Sequence, residues 1–251
     1  MVITIWAVFM VGSSRQLCDK RMELTILLPC LNEEKTVAVC VRQAAAFLLA
    51  NGLQGEVLVS DNGSTDQSAR LAKEAGARVV SCPKKGYGNA LRFGLNEAQG
   101  KYVIMGDCDC SYHFDELLPL IRQLREGAEL VVGDRFIYPC EQGAMRFSHR
   151  YIGVPLLSLL GRIFFHTQVR DFHCGLRGVN RESYQKLDCR YTGMEFATEM
   201  IGRAALQGQK ISQVPVRLYR DNRGRPSHLR SIRDGWRHLR VILSRCNCEV
   251  F

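Results

Sequence analysis

From Glu23 onward the chain alternates short apolar runs with longer stretches whose apolar residues recur at three- and four-residue steps. Leu24 to Leu28, Val57 to Ser60, Arg78 to Ser81, Tyr102 to Met105 and Leu130 to Gly133 are the strand-like runs. The intervening segments read as helices. Glu33 to Ala50 carries Val37, Val41, Ala44 and Leu48 on one stripe, and Asp66 to Ala75, Tyr87 to Ala98 and Asp115 to Glu126 follow, with Asp115 the expected N-cap of the last. Such an alternation predicts an α/β fold, a mostly parallel central sheet with helices on both faces. Ligands then gather at the C-terminal ends of the strands.

Composition adds bounds. A chain of 251 residues that is 46% hydrophobic can build one sizeable domain or two small ones. The 11 cysteines are scattered singly apart from Cys108/Cys110 and Cys246/Cys248, neither of which has C-x-x-C spacing, so free thiols are expected. Val2 to Val11 is apolar but too short to span a bilayer and has no basic residue before it. Residues 1–21 are therefore expected to be an extension that contributes little to the fold.

Candidate chemistry collects at strand ends. Lys101 to Asp109, KYVIMGDCD, is a buried strand that runs into two carboxylates one residue apart, and residues at i and i+2 of an extended segment point the same way. Asp107 and Asp109 facing one point call for a cation, and hard oxygen ligands suit Mg²⁺ or Mn²⁺. Two solvated loop aspartates are the alternative. Pro29-Cys30-Leu31-Asn32-Glu33-Glu34 follows the first strand and Asp61-Asn62-Gly63-Ser64-Thr65-Asp66 the second. Asn32 and Asp66 also suit helix caps, and Asn62-Gly63 a turn. Lys84 to Ala90 has the glycines and lysines of a phosphate-approach loop without P-loop spacing.

The order Pro-x-x-Asn-Glu at Pro29, D-N-G-S-T-D at Asp61, K-G-Y-G-N-A at Lys85 and D-x-D at Asp107 resembles glycosyltransferase family 2, of the GT-A fold, over about residues 22–240. Within that family it is similar to the polyprenyl-phosphate glycosyltransferases. The resemblance implies a nucleotide-diphosphate sugar site lined by Pro29, Asn32, Glu33, Asp61, Gly63, Ser64, Lys85, Gly86, Asn89, Asp107, Cys108 and Asp109, with Asp61 near the base. Asp107 and Asp109 would hold the metal on the diphosphate. The Cys108 side chain is expected to point away and pack. Ser111 lies where relatives often place a further polar contact, and Cys110 where many have an acidic or apolar residue.

The second half supplies an acceptor side. Gly133-Asp134-Arg135-Phe136 resembles the family's G-x-R-[FY] segment, and Asp171 to Arg177, DFHCGLR, its D-x-x-S-G-x-R stretch with Cys174 for the serine. Arg135, Arg150 and Arg177 are implied to face an acceptor phosphate, for which a guanidinium fork is well shaped. Arg146 and Arg162 read as surface residues. Glu195 or Glu199 is expected to be carried inward by a helix. A polyprenyl phosphate is already an anion, so in-line attack with inversion needs no general base; Asp171 is the candidate if one exists. Transfer to a saccharide hydroxyl would demand a base. A degenerate nucleotide-binding relative without turnover is the non-enzyme alternative.

Charge bears on the acceptor. Nine arginines between Arg217 and Arg245 stand against Asp221 and Asp234, giving +7 of the formal net +9. There Leu229, Ile232, Trp236, Leu239 and Leu243 alternate with Arg230, Arg233, Arg237 and Arg240, the pattern of a basic amphipathic helix on a membrane surface. A helix packed on the domain with a solvated basic face is the other reading. No recognition motif accompanies the arginines, so nucleic acid is not an expected partner. Tyr151 to Phe165 is apolar nearly all round, too short to cross a bilayer, and is expected at the acceptor side. The resulting division is an extension at 1–21, a GT-A catalytic domain at 22–217 and a membrane-surface segment at 218–251, peripheral at the cytoplasmic face. The transmembrane helices that follow the catalytic domain in many relatives are not among these 251 residues.

Overall fold

The computed structural model describes residues 22–224 and 229–246; the expected extension at 1–21 lies outside them. Its centre is a seven-stranded sheet, and the elements are numbered here in chain order. β1 (Leu24–Cys30), β2 (Gly55–Asp61), β3 (Arg78–Ser81) and β4 (Tyr102–Met105) alternate with α1 (Val37–Ala50), α2 (Ser68–Glu74) and α3 (Tyr87–Glu97). α4 (Leu118–Arg125) leads to β5 (Leu130–Asp134), then a π-helical turn at His149–Gly153 runs into α5 (Val154–Phe165). β6 (Arg177–Asn180), α6 (Arg181–Leu187), α7 (Phe196–Leu206), β7 (Ile211–Pro215) and α8 (Ser231–Leu243) complete the described chain.

Strand order is β3-β2-β1-β4-β6-β5-β7. β1 is parallel to β2 on one side, from Leu24 opposite Gly55 to Cys30 opposite Asp61, and to β4 on the other, from Leu24 opposite Tyr102 to Leu27 opposite Met105. The winding therefore reverses between β1 and β4. That reversal opens a crevice at the carboxyl ends of these two strands, where open α/β sheets bind ligands. All seven residues of β1 are buried, as expected of a strand covered on both faces. Each fully buried Leu or Ile there contributes about 1.5–3 kcal/mol.

β6 was not foreseen, and it places half the site. It runs antiparallel to both β4 and β5, with Arg177 opposite Met105 on one side and Val132 on the other. An antiparallel strand begins where its parallel neighbours end. The DFHCGLR stretch therefore enters at the same edge as Asp107 and Arg135.

The sequence expectation also differs at α4, which starts at Leu118 with no side-chain cap and Pro119 in its first turn. Asp115 lies in the turn ahead of it, where Glu116 N–H donates to the His113 carbonyl. Pro119 explains the later start, because its fixed φ suits a helix's first turn.

Candidate active site

The loops after β1 and β2 are laced together. Asn32 stands at φ +57°, its N–H donates to Ser64 Oγ (2.9 Å) and its Oδ1 accepts from Thr65 N–H (2.7 Å). Glu33 N–H donates to Ser68 Oγ at 2.7 Å. Asn32 thus spends its side chain on the neighbouring loop rather than on capping α1. The buried Asp61 carboxylate accepts from the N–H groups of Gly63 and Ser64, at 3.3 Å each. Pro29 pairs with Ser60 one position before the strand ends.

Asn62, read from the sequence only as a turn residue, joins this pair of loops to the next. Its Nδ2 donates to the Lys84 carbonyl (2.8 Å) and its Oδ1 accepts from Gly86 N–H (2.7 Å). Gly86 has φ +132°, and a Cβ there would meet the Thr192 carbonyl at 2.4 Å, so only glycine fits this turn into α3. Asn89 Nδ2 donates back to the Lys85 carbonyl at 2.9 Å. Lys85 itself is exposed and its stem passes over Gly63.

α3 also delivers Tyr87, another residue that motif reading passed over, whose hydroxyl donates to Asp107 Oδ1 at 2.9 Å. The half-buried Asp107 carboxyl lies between Tyr87 and the Gly175 backbone. A Cβ on Gly175 would stand 2.4 Å from Asp107 Oδ2. Burial pushes this carboxyl above the usual carboxylate range, against the Tyr87 hydrogen bond and the pull of Arg223, Arg135 and Arg177. Cys108 turns away from both carboxylates, its Sγ toward the Pro29 carbonyl at 3.1 Å.

Asp109 has two sets of partners. Its Oδ1 accepts from Ser111 N–H (2.9 Å) and Ser111 Oγ (2.6 Å), and its Oδ2 is ion-paired with Arg223. The same guanidinium lies 3.6 Å from Glu33 Oε1 and 3.5 Å from Asp221 Oδ1. Arg223 arrives on a strap that follows β7 and runs back over the Asp107–His113 loop. Val216 N–H donates to the Asp134 carbonyl, Tyr219 N–H to that of Ser111 and Asn222 N–H to that of Asp109, at 3.0–3.1 Å. The Tyr219 ring stacks on His113 with centroids 3.7 Å apart. Residues 218–224, expected to begin a membrane-surface segment, therefore cover the acidic loop.

On the other side of Asp107, Arg135 grips Asp171 through two parallel bonds, Nε to Oδ2 (2.6 Å) and Nη2 to Oδ1 (2.8 Å). Asp171 Oδ1 also accepts from His173 N–H at 3.1 Å. Asp171 is fully buried and accepts on both oxygens, so its carboxylate is engaged with Arg135 and the His173 backbone. Arg177 donates to the carbonyls of Cys174 (2.8 Å), Ala197 (2.6 Å) and Phe172 (2.7 Å), so it first ties the DFHCGLR loop to α7. Arg150 stands beside the Phe136 and Tyr151 rings, and its Nη1 is buried without a partner. Both ring nitrogens of His173 are likewise buried and unpartnered. Glu195 pairs with Arg237 at 2.9 Å, and Glu199 accepts from the N–H groups of Arg190 and Tyr191, so both expected glutamates point inward.

α8 reverses the simple amphipathic picture. Asp234, His238, Val241 and Ile242 face the protein, while Ile232, Trp236 and Leu243 are exposed. α8 packs on α5, whose Leu156, Leu159 and Ile163 are exposed too. Among the described residues no helix is long and apolar enough to cross a membrane.

A mostly parallel sheet with its acidic loops at the β1/β4 crevice and a D-x-D after β4 is the GT-A architecture. Residues 25–188 match the sequence profile of glycosyl transferase family 2, and the chain belongs to that family. It is 38% identical over 221 residues to the low-salt glycan biosynthesis hexosyltransferase Agl6 of Haloferax volcanii, covering 88% of this chain and 53% of Agl6. The chain thus spans about half the length of that relative. It is 26% identical to the dolichyl-phosphate hexose transferase of the same organism, over 80% of this chain and 85% of that protein. Among solved structures, glucosyl-3-phosphoglycerate synthase of Mycobacterium tuberculosis, crystallised with Mn²⁺, UDP and glucosyl-3-phosphoglycerate, superposes with a TM-score of 0.68. The match is 23% identical and covers 90% of this chain and 80% of that one.

Proposed function

We propose that this chain transfers a hexose, with inversion, from a nucleotide-diphosphate sugar to a polyprenyl phosphate at the cytoplasmic face of a membrane. The observation that carries the donor half is the convergence of the Asn32, Asp61, Lys85 and Asp107–Asp109 loops on the β1/β4 crevice, through hydrogen bonds that cross from loop to loop. Asp61 would accept from a base or a ribose hydroxyl. Lys85, exposed beside Gly63, supplies positive charge for a diphosphate.

The acidic loop fits a divalent cation. Asp109 and Glu33 already hold a tethered cation, the Arg223 guanidinium, so this spot selects positive charge. Asp107 and Asp109 would hold Mg²⁺ or Mn²⁺, which neutralises the departing diphosphate when bound. Among the described residues no cluster of three or more His, Cys, Asp or Glu offers a metal cage. Two carboxylates with remaining ligands from diphosphate and water suit Mg²⁺ in particular.

Asp171 favours a phosphate acceptor over a hydroxyl one. Both its oxygens are committed to Arg135 and the His173 backbone, which leaves no free base there to deprotonate a sugar hydroxyl. A phosphate oxygen needs none. Arg135, aimed by Asp171, and Arg150, with a buried free N–H, would orient it. The exposed apolar residues of α5 and α8, set among arginines, support seating the site against a lipid surface.

Incubating the protein with labelled UDP- or GDP-hexose, Mn²⁺ and dolichyl or undecaprenyl phosphate, followed by organic extraction, tests the reading. Label in the lipid phase that is lost in Asp109→Ala is the expected result. A water-soluble glycoside as the sole product would reject the lipid acceptor, and nucleotide binding with no product would leave a degenerate relative.

A further inference from the structure

Cysteines gather beneath the acidic loop, and nothing in the donor or acceptor chemistry uses them. Cys30 ends β1, Cys108 and Cys110 flank Asp109, and Cys40 lies on the buried face of α1. Cys40 and Cys110 are in contact, with sulfurs 3.7 Å apart. Cys110 stands at φ +67°, a left-handed conformation that a non-glycine residue adopts only when its surroundings hold it there. The pair thus bridges two walls of the donor crevice, the α1 side through Cys40 and the D-x-D loop through Cys110.

We propose that Cys40 and Cys110 form a reversible disulfide that ties the Asp107–Asp109 loop to α1 and closes the donor site to nucleotide. Sulfurs already in contact need to close by only about 1.7 Å to reach the bonded separation. The co-reactant is a hydroperoxide. Cys110, 9% exposed against 0% for Cys40, takes the first step. Its sulfur gives an electron pair to a peroxide oxygen, the O–O bond breaks, an alcohol or water departs with the thiol proton, and Cys110 becomes a sulfenic acid. Cys40 sulfur then attacks that sulfur, the S–O bond breaks and water leaves with the Cys40 proton, giving the S–S bond. The two thiols lose two electrons and the peroxide gains them.

The consequence follows from chain neighbours. Asp109 precedes Cys110 directly, and its carbonyl and that of Ser111 hold the strap that carries Arg223. Drawing Cys110 toward α1 shifts Asp109 relative to Asp107 and fixes the strap over the crevice. Only this consequence rests on the donor reading; the bond itself does not.

Treating the full chain with hydrogen peroxide, then mapping peptides without reduction, reads the bond directly. A Cys40–Cys110 linked peptide that dithiothreitol removes is expected, together with slower hydrogen exchange across residues 106–112 in the linked protein. The melting-temperature rise given by Mn²⁺ with UDP or GDP should be lost on linkage and restored by reductant, whereas Cys40→Ala should keep it after peroxide. No link, or a Cys30–Cys108 link in its place, overturns the proposal. So does a Cys40–Cys110 link that leaves both exchange and the nucleotide response unchanged. If neither nucleotide affects the reduced protein, the donor reading fails while mass and exchange still decide the disulfide.

Discussion

Arg223, on the strap after β7, is ion-paired with Asp109, the second carboxylate of the loop after β4, and the same guanidinium faces Glu33 and Asp221. The chain therefore carries its own cation in the crevice where a divalent ion and a diphosphate are proposed to sit. Removing it has opposite effects on stability and on metal affinity. Arg223→Gln leaves carboxylates close together with nothing between them. Without metal, breaking this largely buried pairing costs about 3 kcal/mol, a fall in Tm of roughly 6–12 °C for a domain of this size. With Mn²⁺ the deficit should shrink, because the ion no longer competes with a tethered arginine. Calorimetry with Mn²⁺ alone should show tighter binding to the variant; equal binding to both proteins would mean Arg223 and metal do not share the place.

The Arg135–Asp171 pair gives a second separable prediction. Asp171→Asn removes the charge that aims Arg135 and leaves that guanidinium, 9% exposed, without its anion. Stability should fall by about 3 kcal/mol, and kcat/KM should fall through a higher KM for the acceptor. The pH dependence of turnover should keep its shape. A lost limb in the pH–rate profile would return Asp171 to the role of base.

The gathering of the strand-end loops at the β1/β4 crevice was legible because its signals are local. Asn32, Asp61, Gly86 and Asp107 each lie within a few residues of a strand whose apolar run fixes where it ends. The rest depended on contacts between distant segments. β6 is four residues, RGVN, with no periodicity to mark it, yet its antiparallel entry brings Asp171 and His173 to Asp107's edge. Arg223 belongs, by sequence, to an arginine-rich tail, and nothing local says that it turns back to Asp109. For α8, spacing gives an amphipathic helix but not which face is inward. Asp234 is buried because it accepts from Arg230 N–H and pairs with Arg233, and His238 because it meets Thr198. Partners, rather than hydrophobicity, decided the orientation.

That orientation changes which substitutions test membrane contact. Arg237 is engaged with Glu195, so reversing its charge would disturb the fold as well as the surface. Ile232 is 91% exposed and Trp236 60%, so replacing both by Ser costs buried area only at the covered part of the Trp236 ring. The double variant should stay folded with at most a small fall in Tm and lose sedimentation with liposomes containing anionic lipid. Raising salt should weaken the wild type further, since the electrostatic part is screened within about 8–10 Å. Unchanged sedimentation of Ile232→Ser/Trp236→Ser would move the membrane contact elsewhere.

His238 sets an acid limit on stability. Its ring is buried on α8, 2.7 Å from Thr198 Oγ1 and edge-on to His173 at 4.4 Å. Burial, then the positive charge of Arg177, hold it down to about 4, with Asp234 pulling the other way and Arg237 adding to the depression. His173 is lowered as well, by burial first and then by His238, Arg135 and Arg177. A depressed folded-state value means the unfolded chain binds the proton first, at its ordinary value near 6.5. The contribution is therefore complete above that pH and drains away as pH falls toward about 4. Its size for His238 is about 3 kcal/mol. His238→Gln, which can still hydrogen-bond Thr198, should be less stable near neutrality yet lose less on acidification. Urea midpoints at pH 7 and pH 4.5 measure both. Parallel losses in the two proteins would show that His238 stays uncharged in the unfolded chain or charged in the folded one, and the acid limit would then belong to other groups.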